Sequence, residues 1–310
     1  MGILIDAVLS GDMERVRICI EENYNINEID ELGNNALILS IENGLIDAVP
    51  ILIKGGIDVN HANHDKETAL ASAAQAGFVD VLRMLLDAGA DVDHSLKGGE
   101  TALTRAIYCL FGHYAAAKEL LREGANVNIA NEDASTVLIE TAKLGFTETL
   151  EMLIKHHADV NKVDCKGNNA LIEAARKNHR ECVQILLKHR AKLNHVNNHG
   201  NNALMETLSY CHNEIVTELI TEGIDVTQIN KIKDSALTLA AKALESDLLN
   251  PESVEEIMQA LVNAGSDPEQ FIPRFIESRS TPSQKWLRFF RPEVSSVNDV
   301  IESSFPAQLV

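Results

Sequence analysis

Large rings are scarce in this sequence, with one Trp, four Tyr and eight Phe in 310 residues. A core built on aromatic stacking is therefore excluded, and any local cluster of rings stands out. Cysteine is also scarce. Cys19, Cys109, Cys165, Cys182 and Cys211 form no CxxC pair, so they read as reduced thiols in a cytosolic protein. Cys19 and Cys182 fall at apolar helical positions, where burial is the expected role. No apolar run approaches the ~20 residues needed to span a bilayer. The opening Met1-Gly2-Ile3-Leu4-Ile5-Asp6 has no basic n-region, and it lacks the Ser or Thr of a myristoylation motif. Positive charge is in deficit: the net charge of -19 argues against a general nucleic-acid binder. Motifs of catalysis are missing too, with no P-loop, GxGxxG, HExxH or nucleophile elbow. His179, His189, His195, His199 and His212 cluster late in the chain but lack the spacing of metal ligands, so they read as solvated turn residues. No metal, no cofactor and no enzymatic activity are expected.

What the chain does contain is a period. Leucines recur at Leu4, Leu37, Leu70, Leu103, Leu138, Leu171, Leu204 and Leu237, at intervals of 33 residues with a single interval of 35. A fixed spacing of this size marks a stacked repeat array. Three residues beyond each leucine the side chain is small: Ala7, Ser40, Ala73, Ala106, Thr141, Ala174, Thr207 and Ala240. Two helices pressed together require such a position.

The repeat text is Thr68-Ala69-Leu70-Ala71-Ser72-Ala73 and Thr101-Ala102-Leu103-Thr104-Arg105-Ala106. Weaker copies start at Asn169, Asn202 and Ser235. Turn sequences follow at Asp58-Val59-Asn60, Asn126-Val127-Asn128 and Asp159-Val160-Asn161. These motifs resemble the ankyrin-repeat family. The signature proline and histidine are absent from every copy, so part of the bracing of a typical repeat is expected to be lost. The resemblance implies an all-α solenoid of about eight helix-turn-helix repeats with short β-hairpin fingers and a C-terminal cap. The array would occupy residues 1–269, with boundaries near 30, 63, 96, 131, 164, 197 and 230.

Several places depart from the period. Repeat four carries two extra residues near Tyr108-Cys109-Leu110-Phe111-Gly112-His113-Tyr114. Either the inner helix is longer and the rings seal its end, or the rings anchor a partner. In repeats five and six His157, Asn178 and Arg190 stand where glycine is expected, which predicts strained turns. Repeat eight is enlarged around Asp247 to Glu252, where Asn250 and Pro251 would restart its second helix. Residues 270–310 hold six of the 13 aromatics, including Lys285-Trp286-Leu287-Arg288-Phe289-Phe290-Arg291. That tail reads as a packed cap or as a docking segment.

In the family, partners are met by hairpin tips and by the exposed ends of inner helices. The resemblance places Glu42, Gln75, Tyr108, Lys143, Arg176, Lys177 and Tyr210 on that rim and Lys166 on a hairpin tip, with Tyr114 joining the aromatic region. Between Lys162 and Asn194 eight basic residues face three acidic ones, a segment of +5. It is a candidate dock for an acidic or phosphorylated protein segment or an anionic headgroup. Asn60 and Asn161 resemble hairpin asparagines modified by asparaginyl hydroxylases. In style the chain resembles ankyrin proteins that intracellular bacteria inject into host cells, which would place it in a host cytosol. The expected role is a monomeric, cytoplasmic scaffold that binds a protein partner.

Overall fold

The computed structural model describes residues 2–108, 113–210, 212–245 and 251–267. Residues 109–112 in the region of the repeat-four insertion, Asn250 and the aromatic tail 270–310 lie outside them. Among the described residues the chain forms sixteen α-helices and one short 3-10 turn. They run in pairs: α1 (Ile3–Leu9) with α2 (Met13–Glu21), α3 (Ala36–Glu42) with α4 (Ala48–Lys54), α5 (Ala69–Ala76) with α6 (Val79–Asp87), and α7 (Ala102–Tyr108) with α8 (Tyr114–Arg122). The series continues with α9 (Val137–Leu144) and α10 (Thr147–Lys155), α11 (Ala170–Arg176) and α12 (Arg180–Lys188), α13 (Ala203–Ser209) and α14 (Asn213–Thr221), and α15 (Ala236–Glu245) and α16 (Pro251–Asn263). None of these helices is long and apolar enough to cross a membrane.

The chain divides into two compact units, residues 1–174 with 184–191, and residues 175–183 with 192–310. In the first unit the inner helices α1, α3, α5, α7 and α9 stack in one layer, and α2, α4, α6, α8 and α10 stack in a second. In the second unit α13 packs on α15, and α14 on α16. The period explains this layering. All eight recurring leucines and all eight small residues are at most 2% exposed. The small position holds the inner helices at close range. Where it carries a hydroxyl, the hydroxyl bonds back into its own helix: Ser40 Oγ donates to Leu37 O at 2.8 Å, and Thr141 and Thr207 Oγ1 donate one turn back at 2.7 Å. A buried polar group is tolerated on that condition.

In several repeats the first residue of the signature caps the inner helix with its side chain, whereas Thr136 at α9 makes no such bond. Thr68 accepts from the N–H of Ala71 at 3.3 Å, Asn35 from Ile38 at 3.0 Å, Asn169 from Ile172 at 2.9 Å and Asn202 from Met205 at 3.0 Å. Asparagine caps as well as threonine does, so the copies that look weaker in sequence are equivalent here. Asn35 and Asn202 add a second bond, donating Nδ2 to Asp58 O and Asp225 O. At α1 the cap position is Gly2, which has no side chain to offer. Glu28 serves instead, its Oε1 accepting from Ile5 N at 2.7 Å.

The hairpin fingers are turns closed by isolated antiparallel bridges, Ile29 to Asn35, Ala62 to Thr68, Ala130 to Thr136 and Ile229 to Ser235, rather than by strands. A side chain at the finger's start holds each loop. Asp30, Asn63, Asn131, Asp164, Asn197 and Asn230 each accept from the N–H groups two and four residues on, at 2.8–3.1 Å. Leu96 occupies that place in repeat four, and there the loop becomes a 3-10 turn with Gly98 and Gly99 at φ 82° and 76°.

The glycine-free turns bear out the expected strain: His157, Asn178 and Arg190 adopt φ of 67°, 63° and 64°. For a side chain other than glycine this left-handed region costs about 1–2 kcal/mol. His157→Gly and Arg190→Gly are therefore expected to stabilise the protein by about 0.5–1 kcal/mol each, after the entropy of a new glycine is subtracted. A thermal unfolding curve read by circular dichroism tests this, with an unchanged or lower midpoint refuting it.

Candidate functional site

The residues expected at the rim fall into three places. In the first unit, Tyr108 ends α7 and hydrogen-bonds Glu140 on α9, while Lys143 pairs with the same carboxylate at 3.1 Å. Burial, then the Glu140 charge, pushes the Tyr108 phenol well above the usual tyrosine range. Glu140 also accepts from Ser135 Oγ at 2.8 Å, so two rim residues converge on one nearly buried carboxylate. Tyr114 opens the outer helix α8 and is 40% exposed, away from the inner-helix column.

The second place, also in the first unit, is a groove of about 870 Å³ lined by thirteen residues of repeats two to four, among them Glu42 and Gln75. Its floor carries an ion network that sequence reading did not assemble. Arg105 on α7 reaches Glu67 Oε2 at 3.2 Å, and its Nε lies 3.2 Å from Glu100 Oε2 without hydrogen-bond geometry. Lys97 holds Asp65 at 2.7 Å across the mouth. Glu67 Oε1 is shielded from solvent and has no hydrogen-bond partner. Burial raises the Glu67 carboxyl against the pull of Arg105, and Glu42 adds to the rise. Glu42 itself is raised by burial and by Asp30.

The third place lies in the second unit. The Arg176 guanidinium sits 5.7 Å from the centroid of the Tyr210 ring, within cation–π range. His212 stacks with the same ring, the Tyr210 and His212 centroids 6.3 Å apart and their planes 14° from parallel. The His212 Nε2 lies 2.9 Å from Arg176 O, which fastens the end of α11 to the turn before α14. His212, read from sequence as a solvated turn residue, is thus a structural partner of Arg176. Tyr210 is 52% exposed, and Lys177 beside Arg176 is exposed. Arg180 is neutralised by Glu218 at 3.0 Å.

Lys166 is exposed on its finger, as expected from its position. Asn60 is a tie between repeats: its Nδ2 donates to Gly89 O at 3.0 Å and its Oδ1 accepts from Asp91 N at 2.7 Å. Asn161 is half-buried and its N–H donates to Asp159 at 2.9 Å. Among the described residues no three His, Cys, Asp or Glu side chains converge to hold a metal ion. Cys19 and Cys182 are buried thiols outside any disulfide, and Cys165 is an exposed one.

A buried carboxylate recurring at the repeat period also escaped sequence reading. Glu140, Glu173 and Glu206 follow the repeat period on the inner helices, and all three are buried. Glu140 takes its finger bond from Ser135, as above. Asn168 Nδ2 donates to Glu173 at 2.8 Å, and Asn197 and Asn201 Nδ2 donate to Glu206 at 2.8 and 2.9 Å. Their spacing of 33 residues was the available signal.

Paired helices stacked in two layers, with capped turns between them, define a helical repeat protein. The sequence profile described as Ankyrin repeats (3 copies) matches residues 4–95, 55–131, 103–197 and 138–230 in overlapping placements, and the chain belongs to the ankyrin-repeat family. Compared with curated proteins, it shows no match. Members of the family generally mediate protein–protein interaction and are typically non-enzymatic scaffolds.

Because Glu206 holds two finger amides inside the protein, Glu206→Ala is expected to cost about 2–3 kcal/mol, against almost nothing for the exposed Glu222→Ala. Parallel thermal melts decide it, and equal midpoints for the two variants would remove the buried Glu206 carboxylate from the account of stability.

Proposed function

We propose that this chain is a protein-recognition module, and that Arg176, Lys177 and Tyr210 are its principal docking residues. The observation that carries this reading is the Arg176–Tyr210–His212 stack. It presents a half-exposed ring and a cation held in a fixed arrangement, so little side-chain entropy is lost when a partner docks. Tyrosine and arginine are the residue types that dominate interface energetics. The surrounding basic segment favours an acidic or phosphorylated segment of a protein partner, because a guanidinium fork matches carboxylate and phosphate oxygens. Tyr108 and Lys143, converging on Glu140, form a secondary contact zone in the same reading. The role is that of a scaffold rather than a catalyst, in a cytoplasmic setting that suits reduced thiols.

Affinity capture from eukaryotic cytosol, with bound proteins identified by mass spectrometry, tests this. The intact chain is compared with an Arg176→Glu, Lys177→Glu variant, with Tyr210→Ala, and with a Lys54→Glu, Lys155→Glu control of equal charge change. The expected outcome is a partner lost from both site variants, by a weakening of roughly tenfold or more, and retained by the control. A partner retained by all forms would refute the assignment, and one lost from both charge variants alike would reduce it to diffuse attraction.

A further inference from the structure

The groove of repeats two to four is not used by this reading, and its chemistry is opposite in sign. We propose that it is a receptor for the guanidinium of an arginine carried on a basic protein segment, held between Glu67 on the floor and Glu42 on the rim.

Three observations lead there. The first is the orphan acceptor: Glu67 Oε2 is taken by Arg105, but Oε1 is shielded from solvent with no hydrogen-bond partner. A desolvated carboxylate oxygen without a donor is a costly arrangement, which a turn of the Glu67 side chain toward the groove and an incoming N–H would relieve together. The second is the charge balance. Arg105 serves both Glu67 and Glu100, and Lys97 is committed to Asp65, so Glu42 is left with no ion pair among the described residues. Burial, with Asp30 acting on Glu42 and Glu42 acting on Glu67, holds the two carboxyls above their usual range, which agrees with a site short of one cation. The third is the cavity itself, about 870 Å³, whose wall also offers the exposed side-chain amide of Gln75 for the backbone of a bound segment.

The missing cation is organic rather than metallic, since no three donor side chains converge on one point among the described residues. Arginine fits better than lysine because two carboxylates from different repeats face one site. A planar fork can donate to both at once, whereas an ammonium is a point charge. Lys97 acts as a competitor at the mouth, since it occupies the Asp65 carboxylate that a second cation of the segment would otherwise meet.

The site lies within the first unit and is independent of the Arg176–Tyr210 stack, so the two proposals fail separately. The probe is a fluorescein-labelled peptide with three arginines alternating with glycines, read by anisotropy at about 0.15 M salt, where exposed charges are screened beyond ~8 Å. Lysine and citrulline versions of the peptide are the controls. The arginine peptide is expected to bind more tightly than the lysine peptide, and the citrulline peptide not at all. Glu67→Gln should weaken binding roughly tenfold or more, as expected for one partner of a buried charge pair. Glu42→Gln should weaken it less, Lys97→Ala should tighten it, and the exposed Glu148→Gln should leave it unchanged. The Glu42 and Lys97 variants keep the test valid if Glu67→Gln loosens the fold. Equal binding of lysine and arginine peptides, no binding at all, or equal weakening by Glu148→Gln and the groove variants would each overturn the proposal.

Discussion

The structure depends on hydrogen bonds that no single repeat can complete. The turn after an outer helix leaves a backbone N–H facing the preceding repeat, and a side chain from that repeat accepts it. Asn27 accepts from Asp58, Asn60 from Asp91, Asp93 from Asn126, Asn128 from Asp159 and Asn194 from Asp225, all at 2.7–2.9 Å. Asn60 and Asn128 return a second bond to the carbonyls of Gly89 and His157. Fingers are tied in the same way, Asn63 to Asn34 and Asn230 to Asn201 by their amides, and Glu132 to Gly98 through the main chain. A repeat removed from its neighbours would leave these groups unpaired and its apolar face open, which is why stability in such arrays belongs to interfaces. It also gives the hairpin asparagine a structural duty that any enzyme modifying it would have to disturb.

The main-chain tie from Glu132 N to Gly98 O, at 2.8 Å, belongs to a series that includes His64 N to Leu32 O and Cys165 N to Asp133 O. These bonds make no demand on side-chain identity. Finger-tip residues are therefore free to vary while the tips stay in place, and Leu32, Asp65, Asp133 and Lys166 show that freedom in size and charge. Variable tips on an invariant main-chain tie are one physical reason an array of near-identical repeats can present different surfaces along its length.

The fold was legible in the sequence because its constraints are periodic. A leucine and a small residue at fixed spacing are enough to place the inner helices, and the structure buries every one of them. Threonine and asparagine look different in text yet perform one capping act, so Asn169 and Asn202 made their repeats look degenerate when they were not. The missing histidine of the family signature is partly made good elsewhere, by His61 on Gly33 O at 2.7 Å and by His212 on Arg176 O at 2.9 Å. The groove was not legible. Glu42, Glu67 and Arg105 come from three successive repeats, and only the stacking brings them to one cavity. Glu67 and Arg105 are also unremarkable alone, since a charged residue in a surface repeat is normally solvated.

Polarity between finger and helix reverses along the chain, and this reversal decides what each region can bind. In repeats five to seven the finger supplies a neutral donor, Ser135, Asn168 or Asn201, and the helix supplies the buried carboxylate that accepts it. In repeats three and four the finger supplies the acid, Glu67 or Glu100, and the helix supplies Arg105. A neutral donor matched to one carboxylate completes the bonding locally. The two carboxylates that share Arg105 do not, because its Nε is misaligned on Glu100 and Glu67 Oε1 is left without a donor. The imbalance comes from two finger acids meeting one helix cation, since in repeat eight Lys242 on α15 meets the single finger acid Asp234 at 2.7 Å and the bonding closes. Position 105 is thus the point at which an otherwise self-contained polar ladder opens toward a ligand.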